Sequence, residues 1–181
     1  MRVLQLHCDS IEYTPIKKEI KSAEEIEPKK TILEEVVVCF IAVENDDDST
    51  VGKTAIGEIQ ESMKKIGCKK LLLYPYAHLS SDLASPNTGL SILKEMESSA
   101  IDISVTRAPF GWTKAFSIKV KGHPLAESSK VFSKDSSKEK TSTALESESK
   151  IKSYWYIMTL DGKMVEIEKF NFSDHKQLEI L

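Results

Sequence analysis

The segment from Leu33 to Val43, LEEVVVCFIAV, constrains the fold of this chain more than any other. It is an apolar run rich in β-branched residues, and such runs are typical of strands buried in the middle of a sheet. The segment therefore predicts a β-sheet in which residues 33–43 form a central strand.

An amphipathic segment follows this strand after the polar turn NDDDST. Its apolar residues recur at spacings of three or four, which places them on one face of a helix. Thr50 is a suitable N-cap, and Gly67 is suited to end the helix because glycine readily adopts the left-handed conformation found there. The pattern predicts a helix over residues 51–66. Its apolar face comprises Val51, Ala55, Ile59, Met63 and Ile66.

The remaining elements continue an alternation of strands and helices. A second helix is predicted over residues 86–99, where Leu90, Leu93 and Met96 repeat at helical spacing. The acidic, lysine-rich stretch before Leu33 is expected to be a loop or a frayed helix. Further strands are predicted over residues 2–8, 11–14, 71–76, 101–107 and 112–121. The fold class is therefore α/β or α+β, with a mixed β-sheet and helical crossovers.

The composition changes sharply after Glu127. Residues 128–150 are dominated by Ser, Lys and Glu and offer little to bury, which is typical of a linker. Apolar residues then alternate on both sides of Asp161-Gly162, so residues 153–168 are predicted to form a β-hairpin. The prediction is a compact domain at 1–127, a linker at 128–150 and a hairpin segment at 151–181. Because the chain stops soon after the hairpin, a fragment of a longer protein is expected.

Charge and cysteine content narrow the classes of function. A net charge of −3 excludes a strongly basic nucleic-acid binder, because gripping many phosphates takes clustered Lys and Arg. The chain has three cysteines, Cys8, Cys39 and Cys68, which is an odd number and includes no CxxC pair. Neither a disulfide framework nor a zinc site is therefore indicated. No run approaches the roughly 18 apolar residues of a membrane span, and the first residues are unlike a signal peptide. A cytoplasmic location without membrane contact is expected.

Two segments at strand ends carry candidate site residues. In YPYAHLSSDLASP, His78 lies where a strand gives way to a helix, a place that ligand sites favour, although such a histidine is more often structural. In RAPFGWTK, Pro109 and Gly111 predict a turn that exposes backbone amides, and Lys114 begins the strand that follows. From the residues alone, Lys114 is expected to be an ordinary solvated strand lysine.

Other constellations are weaker. His7 and Asp9 lie two apart on a strand and so face the same way, but no third metal ligand lies at a sensible spacing. Ser80, His78 and Asp82 could be written as a catalytic triad, yet no GxSxG turn supports one. The chain also lacks the glycine-rich loops that bind nucleotide phosphates.

Several of these segments together resemble a known family. The opening MRVLQLHCDSIEY, the strand VVVCFIAVE, and the motifs YPYAHLSSDLASP and APFGWTKAFSIKVKGHPLAE look like the editing domain of archaeal threonyl-tRNA synthetases, in order and in spacing. The resemblance covers residues 1 to about 130. The tail from Tyr154 resembles the stretch that leads into the catalytic core of the same synthetases. The resemblance implies a fold shared with D-aminoacyl-tRNA deacylases and a homodimer.

The resemblance also implies an activity, the removal of L-serine from mischarged tRNA(Thr). A site built for threonine cannot strongly exclude serine, because one missing methyl is worth only about 1–3 kcal/mol. A second, tighter pocket can admit serine and exclude threonine. In the family, hydrolysis is thought to rely on the 2′-hydroxyl of the terminal adenosine and on main-chain groups. The implied partners are the 3′ end of the tRNA and the synthetase core, with no cofactor in this domain.

The family's functional residues fall on named positions of this chain. Lys114 would position the ester or the attacking water, His78 would shape the seryl pocket, and Glu127 would hold the adenosine end. Backbone amides around Val43, Ala77, Phe110 and Gly111, with Pro109 beside them, would orient the substrate. Some relatives have an aromatic residue where this chain has Thr113, which leaves the role of that side chain open.

Two other functions are compatible with the residues. A D-aminoacyl-tRNA deacylase would share the fold but select by chirality, and the synthetase-like tail argues against it. A non-catalytic RNA-binding or dimerisation module is compatible with the small number of candidate catalytic side chains.

Overall fold

The computed structural model describes residues 1–134, 154–159 and 161–171. The described residues fall into two units, one comprising residues 1–134 and the other comprising the rest. In the first unit a short 3₁₀ helix, Ala77–Leu79, follows the third strand. The strands and α-helices of this unit are β1 (Arg2–Lys18), β2 (Thr31–Ala42), α1 (Ser49–Ile66), β3 (Lys70–Pro75), α2 (Pro86–Ser99), β4 (Ser104–Arg107), β5 (Trp112–Val120) and β6 (Glu127–Val131).

The strands of this unit form one mixed sheet in the order β4-β3-β2-β1-β5, with β6 also paired to β1. Helices α1 and α2 connect β2, β3 and β4, which run parallel because each crossover helix returns the chain to the same end of the sheet. The contacts of β1 with β2, β5 and β6 are antiparallel. The predicted mixed sheet with helical crossovers is confirmed.

The buried residues of β2 and β3 alternate between two apolar clusters, as the two-residue period of a strand requires. Val37, Cys39 and Ile41 pack with the helices. Val36, Val38 and Phe40 belong to a second cluster, which includes Tyr74 of β3. The predicted central strand is thus covered on both faces.

The ends of the two helices can be compared with those predicted from the sequence. Helix α2 spans the predicted residues, with Ser85 as its N-cap and Pro86 in its first turn. Helix α1 ends at Gly67, whose φ of 71° is the left-handed conformation expected there. The predicted N-cap, Thr50, is wrong. Asp48 caps the helix instead, and its carboxylate accepts hydrogen bonds from the amides of Thr50 and Val51.

Two of the strand predictions need correction. Residues 2–8 and 11–14 belong to one strand, β1, which continues to Lys18. The register between β1 and β5 shifts between Cys8 and Ser10 and again between Pro15 and Lys17. These shifts accommodate residues that interrupt the apolar alternation. The strand predicted over 101–107 begins only at Ser104.

The predicted linker boundary at Glu127 is also wrong. Residues 127–131 form β6, an edge strand that pairs with the beginning of β1. Phe132 follows the strand into the core and is 7% exposed. Polar residues are compatible with an edge strand because one of its faces is solvated. Residues 135–150 of the predicted linker lie outside the described residues.

The second unit contains the predicted hairpin. Strands β7 (Tyr156–Met158) and β8 (Met164–Glu166) are antiparallel, and a 3₁₀ helix, Ile167–Lys169, follows them. Gly162 in the turn has a φ of 81°, a conformation that glycine adopts without strain. Residues 172–181 lie outside the described residues. Within the described part of the chain, no helix has the length and apolar character needed to cross a membrane.

Candidate active site

A cavity of about 640 Å³ opens where β2 and β3 end. The carboxyl ends of parallel strands commonly carry ligand sites, because the crossover loops diverge there. Helix α2 and the turn before β5 close the other sides. Six of the predicted site residues line this cavity, namely Val43, Ala77, His78, Phe110, Gly111 and Lys114.

Lys114 directs its ammonium inward at the start of β5. The Nζ atom donates to the carbonyl oxygens of Pro109 (3.1 Å) and Trp112 (2.8 Å), and lies 4.9 Å from the ring centre of Tyr74. Burial lowers the pKa of this ammonium to about 8, and the negative charge of Glu24 acts in the opposite direction. Lys114 is therefore not an ordinary solvated strand lysine.

The turn that carries Lys114 is fastened by an ion pair that the sequence did not predict. Arg107 donates from both terminal nitrogens to the carboxylate of Glu24, at 2.6 and 2.8 Å. The amide of Phe110 donates to the same carboxylate at 2.8 Å. This amide was expected to orient substrate, but Glu24 already occupies it. The ring of Phe110 lines the cavity and lies 3.5 Å from where a side chain on Gly89 would begin.

His78 lies in the 3₁₀ helix after β3 and also lines the cavity. It is exposed and makes an edge contact with the ring of Tyr76, with 5.1 Å between ring centres. The hydroxyl of Ser80 donates to Glu44 at 2.6 Å, so it is engaged away from His78 and no triad forms. Burial raises the pKa of Glu44, but hydrogen bonds from Ser80, Arg2 and the amino group of Met1 outweigh it and bring the pKa to about 2.

An aromatic cluster lies beside Lys114 and was not predicted. Phe116, two residues after Lys114 on the same strand face, packs against Tyr74 with 5.7 Å between ring centres. Tyr76 and Phe40 complete the group. The sequence signal was present in the alternating aromatic residues of LLLYPY, because Tyr74 and Tyr76 are two apart and face the same way.

Two predicted residues do not line the cavity. Pro109 contributes only its carbonyl oxygen, to Lys114. Glu127 pairs with Leu6 of β1, whereas Lys114 pairs with Pro15. The two positions on β1 are nine residues apart, which corresponds to about 30 Å of strand. Within one chain, Glu127 is therefore not brought together with Lys114.

The other residues considered from the sequence have structural partners. The hydroxyl of Thr113 donates to Glu19 at 2.7 Å, at the rim of the cavity. His7 hydrogen-bonds the ring of His123 at 2.8 Å, and burial, followed by the effect of His123, lowers the pKa of His7. Asp9 instead pairs with two lysines of β5 and of the residues after it, Lys119 and Lys121.

Comparison with known proteins finds relatives in sequence and a neighbour in fold. A sequence model described as the archaea-specific editing domain of threonyl-tRNA synthetase matches residues 1–132. The chain is 64% identical over 186 residues to a threonine–tRNA ligase of Nitrosopumilus maritimus, covering 100% of this chain and 30% of that protein. It is 50% identical to the ligase of Cenarchaeum symbiosum, covering 100% and 29%, and 42% identical to that of Thermococcus gammatolerans, covering 98% and 30%.

The chain thus spans about three tenths of the length of the curated relatives it matches. Among solved structures, the c-Myc DNA unwinding element binding protein is similar, with a TM-score of 0.52 and 8% identity over 71% of this chain and 97% of that one. At this level of identity the likeness shows a shared fold alone.

Proposed function

The chain belongs to the archaea-specific editing domains of threonyl-tRNA synthetase, and we propose that its cavity hydrolyses L-serine from mischarged tRNA(Thr). An editing domain of this kind proofreads mischarged tRNA. The observation that carries the proposal is the inward-facing ammonium of Lys114, held by two carbonyl oxygens inside a cavity lined by the family motifs.

Ester hydrolysis explains what a half-buried ammonium contributes. Water attacks the carbonyl carbon of the seryl ester, and the carbonyl oxygen becomes an oxyanion. A positive donor fixed in a desolvated place stabilises that charge more than water does. The intermediate collapses as the ester oxygen leaves with a proton that came from the water, giving free serine and a tRNA with an intact 3′ end.

The proton transfers are assigned to the 2′-hydroxyl of the terminal adenosine. Among the cavity-lining side chains of the described ranges, His78 is exposed against Tyr76, and Glu19 is hydrogen-bonded by Thr113 at the rim. Glu19 does accept from the hydroxyl of Thr113, but both side chains are exposed at the rim, so we assign this pair to the rim and not to attack on the ester. A hydroxyl on the ribose next to the ester is always within reach of the reacting atoms.

The cavity volume bears on which part of the tRNA enters. About 640 Å³ lies within the usual range for sites that enclose a drug-sized ligand, and it is more than a single amino acid needs. It suits a seryl group together with the adenosine that carries it. Exclusion of threonine requires that the end receiving the amino acid lack room for one methyl.

The position of Glu127 supports a homodimer. If Glu127 holds the adenosine end, as the family resemblance implies, it must come from a second copy, because in its own chain it lies far along β1 from Lys114. We propose that its partners are the synthetase core and the acceptor end of the tRNA, and that it acts in the cytoplasm. We also propose that its fold is related to that of D-aminoacyl-tRNA deacylases.

A substrate panel tests the proposal. The chain is incubated with L-seryl-, L-threonyl- and D-aminoacyl-tRNA, and the ester that remains is measured in single-turnover conditions. Selective loss of L-serine supports editing. Loss of D-aminoacyl esters would indicate a deacylase that selects by chirality, and no loss would indicate a binding module. A seryl-tRNA ending in 2′-deoxyadenosine should be nearly inert, and its normal hydrolysis would overturn the assistance by the 2′-hydroxyl.

A further inference from the structure

Glu24 joins the loop between β1 and β2 to the turn that carries Lys114. Its carboxylate accepts hydrogen bonds from Arg107 and from the amide of Phe110. Its main chain adds two more, because its amide donates to the carbonyl of Phe110 at 3.2 Å and its carbonyl accepts from the indole N–H of Trp112 at 2.8 Å. One residue therefore binds the backbone of Phe110 and the side chains of Arg107 and Trp112.

The stretch fixed by Glu24 is also the one that holds the ammonium of Lys114. The two acceptors of that ammonium are the carbonyls of Pro109, the neighbour of Phe110, and of Trp112, whose indole donates to Glu24. A movement of this turn would therefore move both acceptors and redirect the ammonium.

Close packing leaves the loop and the turn little freedom to slide. Gly111 has a left-handed φ of 78°, and a Cβ atom there would lie 2.8 Å from the Cα atom of Ala23, the neighbour of Glu24. Such a distance is too short for any side chain. The backbones of the loop and the turn are thus in direct contact beside the ion pair.

The negative charge of Glu24 also acts on Lys114, in addition to the contacts that hold the turn. Burial raises the pKa of Glu24, but the hydrogen bonds from Arg107 and Phe110 more than offset this and keep the carboxylate ionised. That negative charge raises the pKa of Lys114 against the effect of burial. The Nε atom of Arg107 also donates to the carboxylate of Glu97, at 2.8 Å.

We propose that Glu24 is the positioning residue of this site, which fixes the direction of the Lys114 ammonium through residues 107–112 and places a negative charge behind it. Glu24 is not among the residues that line the cavity, so it acts through Lys114 and not on the substrate. The catalytic consequence rests on the proposed function, whereas the effect on Lys114 does not.

Glu24→Gln in the full chain tests the proposal, because the amide keeps the size and an acceptor oxygen but loses the charge. The titration of Lys114 is followed by NMR of its side chain, without substrate, and its midpoint should move to lower pH. The single-turnover rate of serine removal near neutral pH should fall roughly tenfold to hundredfold, because small misplacements of a catalytic group have effects of this size. Substrate affinity should change little.

Glu97→Gln is the matched control. It removes a carboxylate from the same arginine, but this carboxylate accepts no hydrogen bond from Phe110 and its side chain is 38% exposed. It should leave both the titration and the rate near wild type. Equal effects of Glu24→Gln and Glu97→Gln would overturn the proposal.

A double mutant separates positioning from general loss of structure. In a Lys114→Met background, Glu24→Gln should slow serine removal little further, because the group it positions is already gone. An undiminished effect there, or an unchanged titration of Lys114 in Glu24→Gln, would overturn the proposal. If Glu24→Gln fails to fold, Glu24→Asp keeps the charge on a shorter side chain, and a wild-type rate in that variant would also overturn it.

Failure of the proposed function has a different signature. In that case the wild-type chain removes no serine, while the titration of Lys114 still moves in Glu24→Gln.

Discussion

Two segments that line the cavity are held in different ways. The lysine segment (residues 107–114) is bound by the bidentate pair of Glu24 and Arg107, whose side chains are 17% and 11% exposed. The histidine segment (residues 76–84) presents an exposed His78 and is tied through Ser80 to Glu44 and through Ala84 to the backbone of Val43. A fixed, partly buried charge can stabilise a transition state, whereas an exposed ring such as that of His78 can adapt its position to the substrate. Under the proposed function, the difference favours a chemical role for the lysine segment and a pocket-shaping role for the histidine segment.

The largest expected difference between the two segments is in stability. Arg107→Met leaves the carboxylate of Glu24 buried without its partner, which should lower the free energy of unfolding by about 3 kcal/mol, the lower end for buried pairs. Ser80→Ala removes one hydrogen bond in the histidine segment and should cost about 1 kcal/mol. Urea unfolding followed by circular dichroism measures both. Equal costs would mean that the two segments are held alike.

The rate of serine removal should depend strongly on the lysine segment. Lys114→Met keeps much of the side-chain length but removes the charge, so the single-turnover rate should fall at least about tenfold, equivalent to about 1.4 kcal/mol. A direct oxyanion donor would give a larger loss, up to about 3–4 kcal/mol. The variants are compared as folded proteins of equal thermal stability. A wild-type rate in Lys114→Met would exclude a catalytic role for Lys114.

The pH dependence should show whether the charge of Lys114 matters. Because burial lowers the pKa of Lys114 to about 8, its ammonium loses its proton as the pH rises through that value. One pH unit higher, only about a tenth of the lysines stay charged, so most of the advantage of wild type over Lys114→Met should disappear. The ratio of the two rates is measured across this range after subtraction of uncatalysed ester hydrolysis. A ratio that stays constant would exclude a role for the charge.

The smallest effect is expected in the histidine segment. His78 is exposed, so His78→Ala should change stability by no more than about 0.5 kcal/mol and the rate with L-seryl-tRNA by about twofold. Its effect should appear instead in the preference for L-seryl- over L-threonyl-tRNA, measured with both substrates. A rate loss as large as that of Lys114→Met would reverse the roles assigned to the two segments.

Local patterns predicted much of the fold because they depend on neighbours in sequence. Helix α2 follows directly after its N-cap Ser85 and begins with Pro86, and its predicted bounds are confirmed. The cap of α1 was misjudged because NDDDST offers several side chains that can accept from helix amides, and only the backbone geometry selects Asp48. Strand β6 was missed because its polar residues resemble a linker until the partner strand is known.

The candidate site was predictable only in part for the same reason. Lys114 and His78 were found because they belong to recognisable motifs, and both line the cavity. Glu24 lies in a charged stretch of the kind that usually forms a solvated loop, and nothing near it in sequence announces a partner. Its contacts with Arg107 and Phe110 arise only when the loop after β1 folds against the turn before β5.

The ion pair of Glu24 and Arg107 joins positions that are 83 residues apart. Losing one member of a buried pair generally costs more than replacing both by apolar residues of similar size. Single replacements at either position should therefore be rare among descendants of a common ancestor, and joint replacements should be commoner than chance. The two positions are therefore expected to change together, so that relatives without the glutamate also lack the arginine.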